Sequence, residues 1–442
     1  MTTLSTALAR RKRRGMLPLA IGTGVALLAL TACSGASAPG ASGDVDTVTV
    51  EYTMPDVFKA PISDIVAQAG TWSPQGPKLK AEVVGSSYND LTQRVQADAS
   101  TGSGPEIALV PINRVPNFVE QGIAQPLDTL LDAEHIDLSG IDPAAMNLAK
   151  VKGKQYAVPF ALSAPMLYYN ADLFTKAGLD PAKPPTTWAE VAKAAKALTD
   201  KAAGRHGIVY QWDQDQWVFQ SQVNSAGGTM LTGSGKVAFN DPAGVKALQY
   251  WVDLARSGSF PPLTSTPNPD DQTAFTQGKL GMWVGSSAFA ASVTSKVNFD
   301  VRTTTFPTET GSPTKVAAGG AALIVLTKDA QKQKLAAKAL AKFATPQAST
   351  ILTKATGYLP INKEARDSSK YLSGFLAGQP LRRPAIAEIP RLEQWTTYPG
   401  SRSVEISETI TKELQYAMNQ KKSARQALDD AAKTVTPLIG TK

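Results

Sequence analysis

Hydrophobic and polar positions follow two periods along most of the chain. Residues 47–53 (Thr-Val-Thr-Val-Glu-Tyr-Thr) are rich in β-branched side chains and predict a first strand. Residues 56–69 carry apolar positions at helical spacing, and 79–84 predict a second strand. Residues 88–98 form an amphipathic pattern with Leu91 and Val95 one helical turn apart, followed by a short apolar strand at 107–111. A further helix begins at 117–121. Thr187 with Glu190 three residues on marks the start of a helix that runs to Leu198. Asp241-Pro242 opens another, with proline in its first turn. Helices are also predicted at 330–343, 404–418 and 423–435. No repeat of 20–50 residues interrupts the order. Strand–helix alternation of this kind predicts an open, mainly parallel sheet with helices on both faces.

The chain has 442 residues, more than one hydrophobic core usually organises, so two domains or lobes are expected. An apolar share of 43% excludes a wholly disordered chain. The single cysteine excludes a disulfide framework and a multi-cysteine zinc site within the chain, and two histidines exclude a His-rich metal centre. No metal or cofactor is expected.

Charge changes little once it is located. Five of the positive charges behind the formal +8 are Arg10, Arg11, Lys12, Arg13 and Arg14. The weak, scattered balance left over gives no case for a nucleic-acid partner. The basic run belongs instead to an address: an apolar stretch follows at 16–30, then Leu30-Thr31-Ala32-Cys33. Basic flank, short apolar region and small residues predict a secretory signal over 1–32. Leu-Thr-Ala-Cys resembles the lipobox of bacterial lipoproteins, which implies acylation of Cys33. Acyl chains hold by burying methylenes at about 0.8 kcal/mol each, and two of them make a stable anchor. Residues 33–46, rich in Gly, Ala and Ser, are then a tether, and the rest of the chain works on the outer face of the cell membrane.

Catalytic constellations are not legible. His135 and His206 lie in polar loop sequence, with no serine in a nucleophile-elbow context to partner either. No phosphate-cradling Gly-x-x-x-x-Gly-Lys loop exists. Asp213 and Asp215 could serve a glycosidase as paired carboxylates, but such pairs are common and helix surface or loop solvation explains them better. Hydrolysis therefore stays a minor alternative, and the chain is expected not to be an enzyme.

A set of segments carries a resemblance: Tyr156-Ala-Val-Pro-Phe160, Met166-Leu-Tyr-Tyr-Asn-Ala-Asp-Leu-Phe174, Lys176-Ala-Gly-Leu-Asp-Pro181 and Pro184–Val191. Phe275–Trp283, Gly319–Ile324, Thr356-Gly-Tyr-Leu-Pro-Ile361 and Ser423–Asp429 continue it in order. Together they resemble the extracellular solute-binding proteins of ABC importers, in the cluster with maltose- and glycerol-3-phosphate-binding proteins. The resemblance implies two α/β lobes of the periplasmic-binding-protein type, joined by a hinge around a cleft. It puts 47–160 and 317–345 in one lobe, and 161–316 and 346–442 in the other. It also implies an ABC permease with a cytoplasmic ATPase as partner.

Within that cluster Thr356–Ile361 and Tyr168-Tyr169-Asn170 look most like the glycerol-3-phosphate and glycerophosphodiester binders. The resemblance then assigns ligand contacts to Tyr88, Ser163, Trp217, Ser287, Gly320 and Tyr358. It gives a phosphate-binding role to Arg402, with Arg382 and Arg383 as rivals. An Arg fork, hydroxyl donors and an aromatic face would suit a phosphodiester, its glycerol and a choline head. One departure stands out. The phosphodiester binders place a glutamate after the third strand, where this chain has Val110-Pro-Ile-Asn-Arg114 and only Asn113 as a polar acceptor. A mono- or oligosaccharide ligand is therefore the first alternative; an extracellular glycosidase or phosphodiesterase and a non-transport surface adhesin are the others.

Overall fold

The computed structural model describes residues 46–212, 216–263 and 270–440. The signal segment 1–32, Cys33, all but the last residue of the tether, and the Asp213–Asp215 pair lie outside the described residues.

Two sheets organise the described chain. The first has five strands in the order Lys78–Val83, Thr47–Tyr52, Ile107–Pro111, Gly319–Val325 and Ala157–Ser163. The second has four, in the order Val301–Thr305, Pro165–Asn170, Leu280–Ser286 and His206–Tyr210. The first three strands of the chain pair in parallel, as their intervening helices require. Pairing elsewhere is mixed, with one strand reversed in each sheet: four of the five strands of the first and three of the four of the second run in one direction. Gly319–Val325 runs antiparallel to both its neighbours, and Pro165–Asn170 does the same in the second sheet. The reason is topological. These strands enter where the chain passes from one sheet to the other and back, so no crossover helix sets their direction.

The passage is abrupt. Ala157–Ser163 closes the first sheet, Ala164 intervenes, and Pro165–Asn170 begins in the second. The return runs through Val316–Ala317, which pairs in parallel with Leu392–Glu393, and then Ala318 before Gly319–Val325. Ser287 pins the outward passage: its amide donates to the Ala164 carbonyl at 2.9 Å, and its Oγ accepts from the Ala164 amide at 3.2 Å.

The helices form where their caps say they should. Ser87 and Asp90 close a capping box on Tyr88–Thr101, and Thr187 and Glu190 another on Trp188–Leu198. Asp241 and Ser423 cap Pro242–Ser257 and Ala424–Val435. Burial of their apolar faces against the sheets supplies the main stabilisation, about 1.5–3 kcal/mol for each fully covered large side chain.

After residue 345 the packing departs from the expected division. Pro346–Ala355 lies against Pro55–Trp72 and Ala330–Phe343. The Asn362 amide nitrogen donates to the Ala344 carbonyl at 2.9 Å, and the Lys363 amide to that of Gly140 at 2.8 Å. Residues 346–363 thus go with the first sheet, because the apolar face of that helix has its complement on Pro55–Trp72. Ser403–Met418 and Ala424–Val435 pack on each other and on Pro242–Ser257, beside the second sheet.

Candidate functional site

The two sheets present the same kind of edge to a common cleft. From the first come the carboxyl ends of Thr47–Tyr52 and Ala157–Ser163 and the amino end of Gly319–Val325. From the second come the carboxyl ends of His206–Tyr210 and Leu280–Ser286. Ligands of α/β proteins bind outside the carboxyl ends of strands, where loops and helix starts leave side chains free to converge.

Met54, Val57 and Tyr88 line the cleft from the first sheet's side; Gln211, Trp217, Ser286, Ala288 and Phe289 line it from the second. Ser163, Gly319 and Gly320 form its floor at the two passages, and Tyr358 and Trp395 complete the wall. The free space between these residues is about 60 Å³. Ligand pockets commonly offer about 300–1,000 Å³, so any solute beyond a few waters enters only if the walls part.

Tyr88 opens its helix from the Ser87 cap. Its ring is partly exposed, while its hydroxyl oxygen is enclosed and faces the Tyr358 hydroxyl. Burial, and after it the neighbouring Tyr358, push its pKa well above the ordinary tyrosine value. Tyr358 is buried, stacks on Phe58 at 5.4 Å with the rings 8° from parallel, and has a pKa pushed up to about 12 by burial. Both phenols stay neutral at any physiological pH and can donate or accept. The loop that carries Tyr358 is held close: the Gly357 amide donates to the Ala288 carbonyl at 2.9 Å, and a Cβ on Gly357 would lie 1.9 Å from the Ser287 carbonyl oxygen.

Trp217 is the first residue of Trp217–Ser225 and is buried. Its indole N–H donates to the Ala317 carbonyl at 2.8 Å, which ties the ring to the return passage. Gln211 helps hold the neighbouring strand end: its side-chain oxygen accepts from the Ser286 amide at 3.3 Å.

The structure therefore brings Tyr88, Ser163, Trp217, Gly320 and Tyr358 onto one cleft, and leaves two expected residues out of it. Ser287 is fully buried as the pin of the passage, and Ser286 takes the place at the wall. Arg402 is exposed and bound at 2.7 Å through both Nε and Nη2 to Glu405, which holds its pKa up by hydrogen bonding; it does not line the cleft. Its guanidinium finds a carboxylate one helical turn away, the nearest partner local spacing offers. The rival arginines are also engaged elsewhere. Arg382 is buried over the Phe375 ring at 5.2 Å and donates to the Thr353 carbonyl, and Arg383 donates to that of Ala377.

Sequence reasoning missed Gln211, Ser286, Phe289 and Trp395. Trp395 alone carried a signal. It stands among Gln394, Thr396 and Thr397 with no helical or strand period to place it in a core. No Asp, Glu, Lys or Arg is among the described residues lining the cleft. Its chemistry is that of hydroxyls, one amide, aromatic faces and backbone groups.

A larger cavity of about 410 Å³ lies at the other end of the first sheet. Most of its charged groups are already engaged: Asp98 with Arg94, Lys332 with Glu106, and Asp329 with the amides of Gln331 and Lys332, while Lys328 also lines it. It offers no convergent set of unengaged polar groups comparable to the cleft. No group of three or more metal-binding side chains occurs among the described residues.

Two interlinked α/β sheets around a cleft at their strand ends define a two-lobed, maltose-binding-protein-like solute-binding fold. The chain belongs to the bacterial extracellular solute-binding protein family, whose pattern matches residues 74–374. It is 30% identical over 301 residues to the sn-glycerol-3-phosphate-binding periplasmic protein UgpB of Brucella abortus, a match covering 64% of this chain and 67% of that one. Among solved structures it is similar to UgpB of Mycobacterium tuberculosis in complex with glycerophosphocholine. That match has a TM-score of 0.78 and 22% identity, and covers 89% of this chain and 98% of the other. It is also similar to a cyclic α-maltosyl-1,6-maltose binding protein of Arthrobacter globiformis, with a TM-score of 0.74, 25% identity and coverage of 89% and 98%. Solutes of two chemical classes are thus found among its neighbours.

Proposed function

We propose that this protein captures a polyhydroxylated solute of no net charge in the cleft and hands it, unmodified, to an ABC permease. The favoured ligand is a glycerophosphodiester with a cationic head, such as glycerophosphocholine. One observation carries this reading: the described lining is uncharged, aromatic on both sides, and supplied with neutral hydroxyl groups. A zwitterion suits it, because its cationic head can sit on an aromatic face while its single negative charge takes neutral donors. Glycerol-3-phosphate suits it less. A phosphate monoester carries close to two negative charges at neutral pH, and placing them in a dry cleft without a cation is costly. The same neutrality favours a second reading, a mono- or oligosaccharide, whose ring faces stack on tryptophan and whose hydroxyls pair with Tyr, Ser and Gln.

Capture would work by closure. The lobes are joined by the passages at 163–165 and 316–319 and by the chain between 363 and 403, and a solute touching both walls stabilises the closed arrangement by its difference in affinity between the two states. An acylated Cys33 would keep the receptor beside its permease; Cys33→Ala should lose that acyl group, and mass spectrometry that still finds it would remove the anchor.

The ligand is tested by thermal shift and calorimetry with glycerophosphocholine, glycerol-3-phosphate and maltose. A solute that binds only the folded chain raises its melting temperature. Glycerophosphocholine should bind at least about tenfold more tightly than glycerol-3-phosphate, a difference near 1.4 kcal/mol. Equal binding of the two would sink the charge argument, and a shift with maltose alone would select the saccharide. Turnover of any of these solutes would make the protein an enzyme, and retention on cell-wall polymers without solute binding would make it an adhesin.

A further inference from the structure

Trp395 packs beside Trp217 at the cleft wall, with ring centroids 6.5 Å apart and planes at 51°. It is 5% exposed and follows the short strand Leu392–Glu393 that pairs with the return passage. It lies on no helix itself; a seven-residue strap, 394–400, carries it.

Side-chain amides grip that strap at both ends. Gln220, buried on Trp217–Ser225, brackets Trp395. Its Nε2 donates to the Gln394 carbonyl at 3.1 Å, and its Oε1 accepts from the Thr396 amide at 2.9 Å. A side chain thus mimics a neighbouring strand, pairing with the backbone on either side of one residue. Beyond it, Asn117 on the first sheet's side donates to the carbonyls of Tyr398 and Gly400 at 3.0 and 3.1 Å. The Thr397 hydroxyl donates to the Asn113 carbonyl. A buried amide that satisfies two backbone groups at once fixes the position of the chain between them, because leaving either unpaired is costly.

We infer that Trp395 is a specificity-determining ligand contact and that Gln220 is its positioning residue. Trp217 and Trp395 form an angled aromatic wedge that takes a sugar ring face or a quaternary ammonium, and Gln220 sets the angle of the second plane. Gln220 sits on the same helix as Trp217, so both planes are referred to one rigid element. This inference rests on the reading of the cleft as a solute site.

The test uses the full chain labelled with 5-fluorotryptophan. Its seven tryptophans give separate fluorine NMR signals, and Trp395→Phe identifies the one from Trp395. Trp395→Ala should weaken glycerophosphocholine or maltose, whichever the wild type binds, by about tenfold or more; Trp395→Phe, which keeps a ring, should fall between. Gln220→Met keeps the volume and removes the amide. It should shift or broaden the Trp395 signal without any solute present, leave most other signals in place, and weaken binding by about three- to tenfold. Trp395→Phe and Trp395→Ala binding within twofold of wild type would overturn the contact. An unmoved Trp395 signal in Gln220→Met would overturn the positioning role. A wild type that binds neither solute would count against the cleft reading instead, and the fluorine signal would still decide the role of Gln220.

Discussion

Gly320→Ala is expected to destabilise the protein by about 3 kcal/mol or more and to abolish solute binding with it. Gly320 has φ +106°, where an L side chain is strained, and an added Cβ would lie 1.8 Å from the Ala161 carbonyl oxygen. That oxygen is main chain of the neighbouring strand, and Gly319–Val325 is paired on both sides, so neither partner can yield cheaply. Steric strain of this kind costs about 1–3 kcal/mol before the clash is relieved, and relief would part the sheet at the floor of the cleft. Denaturant unfolding of the variant beside Gly233→Ala, where a Cβ meets nothing within 4 Å, isolates the effect. A Gly320→Ala protein within about 1 kcal/mol of wild type would show that this position is not the constraint described. The glycine has a backbone reason to be there, whatever it also offers a ligand.

Trp217→Ala should lower affinity for the bound solute about a hundredfold, near 2.7 kcal/mol, the scale of a buried aromatic anchor. Two losses combine. One wall of the cleft disappears, and the Ala317 carbonyl at the return passage loses its indole donor. Trp217→Phe separates them, since it keeps an aromatic face and removes only the N–H. Calorimetry on variants shown to be folded by circular dichroism reads the result. If Trp217→Ala bound within threefold of wild type, the cleft would not be where the solute sits. Trp217→Phe should retain most of the affinity but close less completely, because the hydrogen bond it lacks joins the wall to the passage between lobes.

Arg402 illustrates how far charge type carries an argument. The residue is the right chemistry for a phosphate. Three residues on, Glu405 supplies a carboxylate on the same helical turn, and the two satisfy each other in solvent. Ser287 makes the converse point. Its hydroxyl is spent on the backbone of the passage, and the neighbouring Ser286 faces the cleft, because a step of one residue at the end of a strand exchanges the two faces. Trp395 was overlooked although no period places it in a core, and Gln220 because a glutamine inside a helix looks like any other.

The sequence by itself determined the local elements and the kinship. Capping residues, β-branched runs and helical spacing act over a few residues, and that is the range over which backbone propensity is decided. Thr187 with Glu190 could be seen to start a helix before any contact was known. Only the tertiary structure decided the direction of the passage strands, the side on which Pro346–Ala355 packs, and the company each site residue keeps. Tyr88 and Tyr358 are 270 positions apart in the chain and share one wall. Strand direction at a passage and the pairing of a buried polar group both depend on what arrives from a distant part of the chain, and no local pattern encodes that arrival.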